Sequence, residues 1–136
     1  MDITKLYTLE AHNRGSEINI ICVDDDNESG LKIGDYTEVF LTVSGEDSRA
    51  WAEAKLECHR KSRDATIANE MDEHKKNLFI AEALADAVID WRGVDDKDGN
   101  PLNFDRALLA EFFFNTKPVA DQVDRFIVNR SNFTKG

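Results

Sequence analysis

Apolar positions fall into three patterns along the chain, and each predicts a different kind of element. From Asp2 to about Gly45 they come in short β-rich runs. Leu6-Tyr7-Thr8-Leu9 is one and Ile18-Asn19-Ile20-Ile21-Cys22-Val23 is a second. Tyr36-Thr37-Glu38-Val39-Phe40-Leu41-Thr42-Val43 is the third and clearest. β-Branched and aromatic side chains pack well on a pleated surface, so these runs predict strands. Asn13-Arg14-Gly15 and Asp24 to Gly34 supply turn residues between them. Residues 1–45 are therefore expected to form a small antiparallel sheet or hairpin.

Residues 46–92 switch to helical spacing. Ser44-Gly45-Glu46-Asp47 offers a cap with acids in the first turn, and Trp51, Ala54 and Cys58 then share a face. Between Lys55 and Asn77 the apolar side chains are Leu56, Ala65, Ile67, Ala68 and Met71. A helix this polar is a projecting arm, a bridge or an oligomer contact. The apolar pattern returns at Leu78, with Ile80, Leu84, Val88 and Trp91 on one face and alanines that favour helix between them. Gly93 is placed to close that helix as a left-handed cap. Residues 93–130 predict a loop and a helix pair. The first helix, from about Phe104 to Phe114, takes Asn103 as its cap; the second runs from Pro118 to about Arg130. Val119, Val123, Phe126 and Ile127 make the buried face of the second, and residues 131–136 read as a loose tail. The expected fold is a single domain, mainly α with a small N-terminal antiparallel β element.

Composition narrows what such a domain does. Its 136 residues suit one core, and 41% apolar against 32% charged residues predicts a folded core with a large solvated or elongated part. The formal net charge of −10 argues against nucleic acid and against anionic membranes, since both must be met with lysine and arginine. The densest basic stretch, His59-Arg60-Lys61-Ser62-Arg63, is followed at once by Asp64 and reads as a solvated helix face. Cys22 and Cys58 make neither a CxxC unit nor a zinc spacing. The opening MDITKLYTLE has no basic region followed by an apolar run, and no stretch approaches the ~20 apolar residues of a membrane span. A reducing cytosol with free thiols is the expected setting.

Candidate chemistry is sparse. Aligning Gly99 with the glycine of a calcium loop puts Asp96 and Asp98 at ligand positions, but Val94 falls at the first ligand and Asp105 where a bidentate Glu belongs. With Gly30 in that register, Asp25, Asn27 and Ser29 fit, but Tyr36 takes the closing position. Both read better as polar turns. Glu82, Asp86 and Asp90 form an acidic stripe without a histidine, the wet side of an amphipathic helix. His12, His59 and His74 stand apart, and the neighbours Cys58 and His59 point in different directions on a helix. With no phosphate loop, nucleophile elbow or HExxH, the sequence supports no enzyme, no cofactor and no metal.

The run Phe112-Phe113-Phe114 spans almost a full helical turn, so the three cannot face one core. Leu108 and Phe112 define one face, and Phe114 falls nearly opposite, over Ala107 and Ala110. Either a second element covers Phe114 or it is exposed for a partner.

The stretch Leu78 to Phe133 reads LFIAEALADAVIDWRGVDDKDGNPLNFDRALLAEFFFNTKPVADQVDRFIVNRSNF. An Ala-rich helix ends in Asp90-Trp91, and a glycine follows. Next come an acidic turn with Asp98-Gly99, Pro101 and Phe104, a short Leu-rich helix, Pro118, and a helix ending near Asn132-Phe133. This order resembles the tail assembly chaperones of siphophages, the long, non-contractile tailed phages. The front half fits as well: a strand ending in Val43-Ser44-Gly45-Glu46-Asp47-Ser48, then a polar helix. The resemblance implies a protein without catalytic residues that binds the tape measure protein, keeps that long helical chain soluble and helps recruit tail tube subunits. It also implies action in the host cytoplasm and absence from the finished virion. Many members exist in two forms, the longer made by ribosomal frameshifting and reaching the tail tube protein; this chain looks like the short form. The expected partner-binding side chains are Phe114 and Val128, which fall off the buried stripes of their helices, and Phe133 in the tail. The polar segment 55–77 is the candidate for self-association. Two other classes stay open: another small phage tail structural or completion protein, which would remain in the virion, and a small enzyme or metal protein using the acidic loops.

Overall fold

The computed structural model describes residues 2–21 and 36–134. Three strands, β1 (Ser16–Ile21), β2 (Tyr36–Val43) and β3 (Val88–Arg92), form one antiparallel sheet in the order β1-β2-β3. Among the described residues six α-helices lie around it: α1 (Leu9–Arg14), α2 (Arg49–Ile67), α3 (Glu73–Ala87), α4 (Arg106–Asn115), α5 (Lys117–Val128) and the four-residue α6 (Ser131–Thr134). The fold is mainly helical α+β, as the sequence pattern implies. The expected turn from Asp24 to Gly34, its acidic loop, and the strand residues Cys22 and Val23 lie outside the described residues.

The β element is not confined to the N-terminal segment. The expected helix through Trp91 ends at Ala87, and Val88 to Arg92 pair with β2. Two β-branched residues, Val88 and Ile89, start the strand, and the Ser44 amide donates to the Ala87 carbonyl at 2.8 Å where the helix stops. An unpaired side of β2 outweighs a helical continuation whose apolar spacing alone looks sound. Trp91 consequently pairs with Leu41 across the ladder and is half-buried. Its indole Nε1 donates to the Leu102 carbonyl at 2.9 Å, and its ring meets Phe104 edge-on at 5.2 Å. Gly93 has the left-handed φ expected of it, +82°, but as a close-approach residue after a strand: a β-carbon there would run into the Glu38 carbonyl.

At the other end, Leu6 to Leu9 is not a strand. A 3-10 turn (Ile3–Leu6) is capped by Asp2, whose carboxylate accepts the Thr4 amide at 2.9 Å, and α1 follows. Four apolar-polar positions are too few to separate a strand from a helix start. Helix α1 ends at Gly15, φ +82°, where a β-carbon would come to 2.7 Å from the Val43 carbonyl oxygen.

Helix α2 starts one turn later than expected, with Ser48 as the cap accepting the Trp51 amide at 3.1 Å. Trp51 and Ala54 are buried and Cys58 half-buried on one face, as the spacing requires. The polar stretch 55–77 is not one arm. It breaks at Asn69, φ +57°, and Asp72 caps α3 by accepting the Lys75 amide at 2.8 Å, so α3 folds back along α2. Lys61 pairs with Glu82 at 2.8 Å across this hairpin. Helix α3 buries Ala81, Ala83, Leu84, Ala85 and Ala87, which span more than one face. Small side chains there let neighbouring elements approach from several sides, and the single stripe expected through Ile80 fails, since Ile80 is exposed.

Helix α4 is capped by Asp105, which accepts the Ala107 and Leu108 amides at 2.9 and 3.2 Å, rather than by Asn103. Helix α5 buries Val119, Val123 and Ile127, the expected stripe, with Phe126 half-buried beside them. Gln122 is also buried on α5, and its amide mirrors a strand neighbour. Oε1 accepts the Ile21 amide at 2.9 Å while Nε2 donates to the Ile21 carbonyl at 3.1 Å. Leu41, Val43, Leu84, Leu109, Phe113, Val123 and Ile127 meet in the centre of the core.

Candidate functional site

A groove of about 470 Å³ opens between α2, α3, the end of α4 and α5. Trp51, Ala81, Leu84, Phe113 and Ala120 line its apolar part, with Ile80 and Phe114 beside them. Lysines 55, 76 and 117 and the carboxylates of Glu73, Asp121 and Asp124 stand around it. At one end Trp51 Nε1 donates to Glu46 at 3.1 Å, and Lys55 reaches both Glu46, at 3.6 Å, and the Trp51 ring, 5.8 Å from its centroid. Asp124 has its carboxyl pushed above the ordinary range by burial, then by the like charges of Asp121 and Glu46; Arg125 opposes this.

Phe114 lies partway between the two readings left open by the sequence. It is half-buried, lines the groove, and meets His74 edge-on at 5.0 Å. The core aromatic of α4 is Phe113, 1% exposed, whereas Leu108 and Phe112 are 45% and 39% exposed. The sequence contains two i, i+4 pairs offset by one residue, Leu108–Phe112 and Leu109–Phe113, and periodicity alone ranks them equally. Packing against α3 selects the second.

Val128 is 51% exposed, off the buried stripe as its spacing implies. Phe133 corrects the expectation of a loose tail. It sits on α6, 5% exposed, with its ring 5.1 Å from His12 and 5.4 Å from Phe126. This aromatic ring, two residues past the start of α6 at Ser131, has a partner in α1 that no local pattern can announce. Of the three expected partner-binding residues, Phe114 alone lines the groove.

His12 and Asp47 form a junction that no spacing in the sequence announces. His12 is fully buried, and its Nδ1 accepts the Asp47 amide at 2.8 Å. Asp47 accepts Thr8 Oγ1 at 3.1 Å and a two-pronged bond from Arg130, Nε at 3.0 Å and Nη2 at 2.9 Å. Arg130 first, then Thr8 and His12, hold the Asp47 carboxyl below its usual range. The Oγ of the neighbouring Ser48 is committed to the α2 cap. The junction reads as a fastening between α1, the β2–α2 connection and the segment after α5.

The other candidate groups are occupied by structure. Within the acidic stripe, Glu82 binds Lys61, and Asp86 accepts Arg106 Nε at 2.6 Å. Burial pushes the Cys58 thiol up, away from the reactive thiolate. Asp96 accepts the amides of Asn100 and Asp98 at 2.9 and 2.8 Å, which holds its carboxyl low, and Gly99 turns the loop at φ +84°. Among the described residues no three His, Cys, Asp or Glu side chains are grouped to hold a metal, and no helix is long and apolar enough to cross a membrane. Compared with protein-family models, curated proteins and solved structures, the chain matches none of them.

Proposed function

We propose that this protein is a non-catalytic tail assembly chaperone of a long-tailed bacteriophage. In this reading it acts in the host cytoplasm, binds the tape measure protein, keeps it soluble and helps bring tail tube subunits to it. The observation that carries the reading is the open groove between helices, apolar within and charged at its rim, on a protein of net charge −10. A holdase needs both parts. Apolar side chains take up the client's exposed stripe, and like charge keeps partly coated complexes apart.

The test is co-expression with the tape measure protein of the same phage. The client should stay soluble and co-purify with the wild type. Phe114→Ala should weaken that capture by roughly thirty-fold, the usual cost of truncating an aromatic anchor, with an unchanged circular dichroism spectrum. A tape measure protein that is soluble alone ends the proposal. So does recovery of this chain as a stoichiometric part of purified virions, which would favour a tail completion or structural protein.

A further inference from the structure

We infer that His12 is an acid-released catch: a second proton on its imidazole breaks the bond to Asp47 and frees α1 and residues 130–134 from the β2–α2 connection. This device is independent of what the groove binds.

His12 is fully buried and holds the connection twice. Its carbonyl accepts the Gly45 amide at 2.9 Å, and its Nδ1 accepts the Asp47 amide at 2.8 Å. A nitrogen that accepts carries no proton, so the neutral ring is protonated on Nε2. Nε2 has no hydrogen-bond partner and stands 3.7 Å from Asp47 Oδ2. Only Nδ1 is then left to take a second proton, and that proton points at the Asp47 N–H. Two donors cannot share one hydrogen bond, so the charged ring and the Asp47 amide bond exclude each other. Packing leaves the ring no room to adjust in place. Its centroid lies 5.1 Å from that of Phe133, and a β-carbon on Gly45 would run into both rings.

The charges around the ring supply no substitute acceptor. Asp47, on the β2–α2 connection, attracts a cation at Nε2, but both its oxygens are engaged, one by Arg130 and the other by Arg130 and Thr8. Glu46 on the same connection is turned to Trp51 and Lys55, and Arg49 at the head of α2 to Glu53 at 3.0 Å. Arg130, after α5, is committed to Asp47. Helix α6 brings no charge, and on α1 itself Glu10 and Arg14 are exposed. Release is local in this arrangement. His12 and Phe133 stand outside the main core cluster around Leu84, Phe113 and Val123, so the catch can open while that core stays packed.

The test is NMR on the full chain from about pH 8 to about pH 5, across the ordinary histidine range. Imidazole nitrogen resonances report the ring, and amide hydrogen exchange reports the catch. At the upper end His12 should show a protonated Nε2 and a bare Nδ1. As the ring takes its second proton, protection of the Asp47 and Gly45 amides, corrected for the intrinsic rate, should fall at least about tenfold while Leu41 keeps its protection. His12→Asn offers Oδ1 to the same amide and does not titrate, so it should remove the pH dependence. Should that variant fail to fold, the wild type alone decides, through the match between ring protonation and loss of Asp47 protection. Four results overturn the catch: a proton on Nδ1 at the upper end, a doubly protonated ring with Asp47 still protected, a ring that stays neutral until Leu41 also exchanges, or a pH dependence that survives in His12→Asn and so belongs to a carboxylate.

Discussion

Asp47 and Arg130, 83 residues apart in the chain, meet through Nε and Nη2 of the guanidinium at 3.0 and 2.9 Å. This pair joins the entrance of α2 to the end of α5, and His12 and Phe133 pack beneath it. Because Arg130 holds the Asp47 carboxyl below its ordinary value, the folded state favours the ionised form more than the unfolded chain does. The pair's contribution is therefore complete above the unfolded carboxylate range and is lost as pH falls through the lower, folded value. Urea midpoints taken from pH 7 downward should fall, and Asp47→Asn should lower the midpoint at pH 7 and flatten that fall. An unchanged acid limb in the variant would show that the pair contributes nothing.

Asp124 should behave in the opposite sense. Its folded carboxyl is raised, so ionisation is penalised in the fold, and the penalty is fully present above the raised value. Asp124→Asn should stabilise the protein at neutral pH and make no difference well below the ordinary carboxylate value. Thermal melts at both ends of that range check the sign.

Phe133→Ala should unfold the C-terminal latch. Removing a buried phenylalanine costs about 3 kcal/mol or more, through lost transfer energy and the cavity left against His12 and Phe126. Equilibrium urea unfolding should register this directly. A variant as stable as the wild type would mean that the latch is not closed in solution.

Gln122→Leu keeps volume but leaves the Ile21 amide and carbonyl without their partner. Each stranded backbone group costs about 1–3 kcal/mol, so the loss should be close to that of Phe133→Ala despite the added apolar surface. Hydrogen exchange at the Ile21 amide should accelerate while that of Leu41, in the central strand, keeps its rank among the slowest. Unchanged protection at Ile21 would contradict the side-chain pairing.

Trp91→Ala removes a half-buried ring rather than a core helix residue. The expected cost is about 2–3 kcal/mol, from the Phe104 contact and the Leu102 hydrogen bond, and the domain should still fold. Trp91→Phe should recover the ring contact and lose about 1 kcal/mol for the missing donor. Circular dichroism melts of the two variants test the ordering.

Features set by local pattern are legible in the residues themselves. β2 begins and ends where its β-branched run does, and α5 buries the stripe that its spacing implies. The rest is decided by partners far off in sequence. Val88 to Arg92 look helical because nothing in their neighbourhood reveals that β2 lacks a second neighbour. Phe113 wins over Phe112 because α3 packs on one of two equally apolar faces. Phe133 looks loose because its pocket is made by His12. Phe114, off the main stripe of its helix, lines the groove, yet Trp51, Asp121 and Asp124 come from helices whose convergence the sequence does not encode locally.

The pairing of Gln122 with Ile21 also sets a schedule for the chain as it is made. β1 and β2 can meet early, but β2 gains its other neighbour only once residues 88–92 have left the ribosome, and the edge of β1 is closed at Ile21 only after residue 122 has followed. Until then a nascent chain leaves Ile21 and the second side of β2 unpaired, and open strand edges are the feature through which chains most readily join one another. Folding therefore completes late, with contacts spanning most of the sequence, and a chain ending before Gln122 leaves the Ile21 amide and carbonyl without that partner.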